Sequence, residues 1–66
     1  MRYIEMRFDI RNATPENRAK LYKLLDNYSI GGPHVNPATW ITCATVREDF
    51  PEIADIPDGC TVLQNF

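Results

Sequence analysis

Basic residues stop at Arg47: the last nineteen positions, Glu48 to Phe66, hold five acids and no Lys or Arg. Cysteine is nearly as scarce, with Cys43 and Cys60 the only two and one histidine beside them. So few ligands, none at zinc-site spacing, argue against a structural zinc centre, and two thiols make no disulfide framework. The start of the chain, Met1 to Glu5, carries no apolar signal run, so a cytoplasmic setting with reduced thiols is expected. A bridge stays open if the two cysteine-bearing segments pair directly. No hydrophobic run approaches the roughly 20 residues of a membrane span, so no membrane partner is expected. A glycine-rich phosphate loop, a nucleophile elbow, a helical His pair and a Cys-x-x-Cys are all absent. The enzyme classes that depend on those motifs are thereby excluded, and any catalytic reading rests on isolated residues.

What is present is a small single domain spanning residues 1–66. A chain of this length hides only about 60% of the surface its unfolded form exposes, so support from a partner is expected. With disulfide and metal disfavoured, self-association is the favoured support. The net charge of −2 conceals a division: seven bases against four acids up to Arg47, a balance of +3, then −5 from Glu48 onward. Such asymmetry marks either a recognition surface or two halves that complement each other.

Residues 3–10 alternate strictly, with Ile4, Met6, Phe8 and Ile10 on one side and Tyr3, Glu5, Arg7 and Asp9 on the other. Period-two alternation is the signature of a strand with one buried face. Thr14-Pro15-Glu16 then reads as a helix start, and Leu21, Leu24, Leu25 and Tyr28 fall on one helical face. Gly31-Gly32-Pro33 is expected to end that helix with a left-handed cap. Residues 32–37 read as a loop, and 39–47 as a β-branched, aromatic strand that is central or covered on both faces. Asp49-Phe50-Pro51-Glu52 suggests a second helix of about two turns, ended by Ile56-Pro57. After the turn Pro57-Asp58-Gly59, residues 60–63 form a last short strand.

These elements predict an α+β domain, the half of a ferredoxin-like fold: β-α-β-(short α)-β, with a three-stranded sheet covered on one face by one helix. The long first connection permits a right-handed parallel crossover between the first two strands, with the third inserted between them. The bare face or a sheet edge then calls for a partner, and a two-fold homodimer is the expected solution.

Asp9 closes the first strand within Phe8-Asp9-Ile10, and a basic amphipathic helix, Asn17 to Tyr28, follows. Over roughly residues 3–30 this arrangement resembles the Cas2 family of CRISPR-associated proteins. In that family the strand-end Asp of each subunit faces its mate across a dimer axis and is proposed to hold magnesium for phosphodiester cleavage. The resemblance therefore implies a magnesium-dependent nuclease, or an inactive relative, with Asp9 as catalytic and metal-binding residue. On its residues alone Asp9 is better read as a solvated strand-end carboxylate or turn former than as a metal ligand.

His34, in the glycine-proline loop beside Asn36, is a candidate acid or base, against the plainer reading of a lone exposed loop histidine. Arg2, Arg7, Arg11, Arg18, Lys20 and Lys23, with Tyr3 or Tyr22 for stacking, offer a phosphate-binding surface. The acidic balance of the chain disfavours nucleic acid, and a solvated helix face accounts for the helical charges. Asp49, Glu52, Asp55 and Asp58 recur every third residue, with Glu48 adjacent. Such a carboxylate row either solubilises an edge or docks on a basic protein surface, imitating nucleic-acid phosphates. The leading expectation is a non-enzymatic module, a homodimer that binds another protein as an inhibitor or accessory subunit. Its partner surface would comprise Glu48, Asp49, Phe50, Glu52, Ile53, Asp55 and Asp58, with no cofactor.

Overall fold

The structure, a computed structural model, describes residues 2–65. The elements run β1 (Tyr3–Asp9), α1 (Pro15–Tyr28), β2 (His34–Asn36), β3 (Ile41–Arg47), α2 (Phe50–Ile53) and β4 (Thr61–Asn65). They build a mixed α+β fold with one four-stranded sheet in the order β2-β3-β1-β4, and every neighbouring pair is antiparallel. This β-α-β-β-α-β arrangement is ferredoxin-like in order, with both helices on the face that holds the core.

The alternation of β1 does what its period demands. Met6 and Phe8, with Ile10 just beyond the strand, are buried, while Tyr3, Glu5 and Arg7 stay exposed. β3 contributes Thr42, Ala44 and Val46 to the same layer. Leu21 and Leu25 of α1 and Phe50 of α2 close it from above. Phe50 meets Phe8 edge-on at 6.3 Å between ring centroids and Tyr28 at 5.7 Å, the offset geometry that aromatic quadrupoles favour.

At the start of α1 the Asn17 backbone N–H donates to Thr14 Oγ1 at 3.1 Å, and Pro15 occupies the first turn, where its missing N–H costs nothing. The helix stops sooner than the glycine pair implies. Ser29 is already extended, and the Ile30 N–H donates to the Thr45 carbonyl at 2.9 Å, so pairing with β3 draws the chain out of the helix. Gly31 and Gly32, both at positive φ, serve the turn into β2 instead.

Several expectations are corrected. The sheet has four strands, because the segment read as a loop contains β2. β1 and β3 pair directly and antiparallel, with no crossover between them. The long crossover joins β1 to β2, which run parallel on either side of β3. β4 lies outside β1 and not between the other strands, since β1 accepts it along its free edge. β3 is central but covered on one face only, with Thr45 exposed on the other. α2 is a single turn, because Ala54 is already extended, and Asp49 makes no side-chain capping bond. A second helix therefore joins the covered face beside α1.

Candidate interaction surfaces

The acidic segment is shaped by two anchors. Phe50 is fully buried, which removes it from the partner surface assigned to it: its ring is needed to fill the gap between Phe8 and Tyr28. Asp49 turns back to Arg47, whose Nη2 donates to Asp49 Oδ2 at 2.8 Å while the guanidinium lies over the Tyr28 ring. With these two residues fixed inward, the single turn of α2 holds Glu52 and Ile53 outward, and Ile53 keeps 52% of its surface exposed. Glu48, Asp55 and Asp58 are exposed as well. None of Glu48, Glu52, Asp55 and Asp58 makes an ion pair among the described residues.

Asp55 and Asp58 also line a groove of about 540 Å³ whose opposite wall is the α1 face bearing Lys20 and Lys23. Leu24, Ile56 and Pro57 form its apolar lining, and the Asn17 amide donates to the Asp58 carbonyl at 3.1 Å to tie the two walls together. The opposed signs of the two halves of the sequence therefore meet here across a gap.

Asp9 lies at the end of β1, where Arg11 engages both its oxygens: Nε donates to Oδ1 and Oδ2 at 3.1 Å and Nη2 to Oδ2 at 2.7 Å. The Arg11 backbone N–H adds a fourth bond at 3.0 Å. The Arg11 side chain, then its backbone N–H, hold the Asp9 carboxyl below its ordinary value. A cation at Asp9 would have to displace this guanidinium, and no group of three or more His, Cys, Asp or Glu gathers among the described residues.

His34 is exposed on β2, directly opposite Cys43 on β3. It borders a hollow of about 140 Å³ shared with Glu5, Ile30 and Thr45. Cys43 and Cys60 are both free thiols; Cys43 belongs to β3 and Cys60 precedes β4, with β1 between those strands. Burial raises the pKa of Cys60.

The basic residues do not gather into one surface. Arg18 donates from Nε to the Ile10 carbonyl at 3.1 Å and from Nη2 to the Arg11 carbonyl at 3.3 Å, and its guanidinium stacks 3.9 Å over Trp40. It ties the β1–α1 connection to the tip of the β2–β3 hairpin. Arg7 lies beside Glu5, Arg11 holds Asp9, and the two lysines stand at the groove.

Sequence reasoning expected a bare sheet face, but assigned none of the residues lining it to a partner site. Tyr3, Glu5 and Arg7 of β1 and Thr45 of β3 stand exposed there, with Cys43 and Ile41 half-buried among them. The strict alternation of β1 was a signal for this face; the hidden strand β2 widens it.

The fold and these surfaces define an α+β protein of ferredoxin-like order with an acidic end and an uncovered sheet face. No protein-family model, no curated protein and no solved structure matches the chain. Among the described residues no helix is long and apolar enough to cross a membrane.

Proposed function

We propose that this chain is a non-enzymatic interaction module, a homodimer that acts as an inhibitor or accessory subunit by docking its acidic end on a basic surface of another protein. The observation that carries the reading is the division of labour in and around α2. Phe50 and Asp49 are committed inward, whereas Ile53 is half exposed between carboxylates that make no ion pair among the described residues. An apolar contact ringed by unpaired charges of one sign suits recognition. The apolar group supplies affinity on desolvation, and the charges supply steering and selection of a partner of opposite sign.

The docking residues are Glu48, Glu52, Ile53, Asp55 and Asp58. The partner is protein rather than nucleic acid, because a phosphate backbone would meet repulsion from this end of the molecule. An inhibitory or accessory role suits a small domain that presents one acidic end with an exposed apolar residue.

The test is a titration of the labelled protein with a lysine-rich amphipathic peptide containing leucine, followed by amide chemical shifts. Shifts concentrated in residues 48–58, weakening as salt rises, are expected, and the E52K/D55K/D58K variant should lose them. Shifts that survive the triple reversal, or that never appear, would overturn the acidic-end reading.

A further inference from the structure

On the uncovered sheet face β1 presents, in order, Tyr3, Glu5, Arg7 and Asp9, and beside Glu5 and Arg7 the register places Thr45 and Cys43 of β3. The two charges at the centre of the face are opposite in sign, two residues apart, and about half exposed. Their mutual contact is long, 3.9 Å between Arg7 Nε and Glu5 Oε1, so each retains most of its bonding capacity.

This pattern is self-complementary. We infer that a second copy of this chain covers the face, related by a two-fold axis that runs across the strands between Glu5 and Arg7. The inference rests on the homodimer reading above and names its surface. Under that axis β1 stacks on its own copy in the reverse direction. Each Glu5 meets Arg7 of the partner subunit, and each Cys43 meets Thr45 of the partner subunit.

An axis along the strands would set Glu5 over Thr45 and Arg7 over Cys43 instead. It would bury two charges per subunit with only their own long 3.9 Å contact to offset the loss of water, the costlier arrangement. The crosswise axis yields a closed set of four alternating charges at the centre of the face, flanked by Cys43 and Thr45 of each subunit. It also keeps the two Asp9 carboxylates about 20 Å apart, three residues to either side of the axis at about 3.3 Å each.

The face spans about 19 Å across four strands and about 23 Å along seven residues. That is a small patch beside the roughly 800 Å² per partner of a standard interface, so a weak, reversible dimer is expected. In a weak dimer the central charges decide the outcome.

Sedimentation equilibrium from about 10 µM to about 1 mM tests this. The single reversals Glu5→Arg and Arg7→Glu each set like charges against one another and should weaken dimerisation by at least about tenfold. The double swap E5R/R7E restores opposite charges and should return the affinity to within about threefold of the original. Unchanged circular dichroism melting would show that the single variants remain folded. A dimer indifferent to the single reversals, or one that the double swap fails to rescue, overturns the assignment of this face while leaving a homodimer standing. A monomer at every concentration overturns both the face and the homodimer.

Discussion

Among the described residues Thr42 is the one buried polar residue in the core layer, fully enclosed, and its Oγ1 has no hydrogen-bond partner there. A buried, unpaired hydroxyl carries the cost of losing water without a replacement bond. Thr42→Val keeps the shape and removes that cost, so urea unfolding should show a gain of about 1 kcal/mol. A loss would mean that the hydroxyl does find a partner in solution. Asp9 offers a second measurement. Because Arg11 holds its carboxyl below the ordinary 3.8, the stabilisation is complete above that value and is lost as pH falls through the lowered one. The Asp9 carboxyl carbon should titrate below 3.8 by NMR, and Arg11→Ala should move the midpoint upward; an unshifted midpoint in both proteins would discount the pair. Neither Thr42 nor Asp9 was legible at this level from sequence. A β-branched strand run does not show which hydroxyl is enclosed, and nothing in Asp9-Ile10-Arg11 says that the arginine folds back over the carboxylate.

Among the elements, β1 and α1 were readable because each satisfies its own local rule: alternation in one, a Thr-Pro start with leucines at helical spacing in the other. β2 was hidden because three residues are too few to show a period. It is defined by the hairpin it makes, in which Asn36 Oδ1 accepts from the Ala38 N–H at 3.0 Å and the Asn36 carbonyl accepts from Trp40. Trp40 sits there at φ +55, an uncommon conformation for a bulky side chain, with Arg18 stacked on its ring. The acidic helix was legible as a start but not in its length, since the return of the chain at Ala54 depends on Phe50 reaching the core. The turn before β4 carries a firm prediction. Gly59 lies at φ +83, and a Cβ there would fall 2.6 Å from the Asn12 carbonyl oxygen and 2.7 Å from Ala13 Cα, both backbone atoms with little freedom to give. Gly59→Ala should therefore destabilise by about 2–4 kcal/mol, read as a lowered urea midpoint. A change of under about 0.5 kcal/mol would show that the loop after β1 is not locked against this turn.

At the scale of the whole molecule, the charge division seen in the sequence resolves into separate places. Some opposite charges approach across the groove between α1 and the 55–58 segment, while Glu48 and Glu52 are exposed outside its lining. The uncovered sheet face is near neutral at its centre, with Glu5 against Arg7. Reversing the acidic end and swapping the sheet charges therefore act on different surfaces, and the peptide titration and the sedimentation series report on them independently. Composition announced that one end would be acidic, but which carboxylates stay unpaired depended on where Phe50 and Arg47 lie in three dimensions.

The strap from α1 to β2 has a consequence for how this sheet meets its surroundings. Ser29 and Ile30 line one stretch of the β3 edge, β2 lines the next, and Pro33 and Pro37 bracket the three residues of β2. An approaching strand from another chain finds there no long, flat template, only a short run interrupted at both ends by residues without an N–H to offer. On the far side the pairing of β4 slips register between Arg7 and Phe8, which bends that border as well. Lateral growth into fibrils is thus discouraged at both margins.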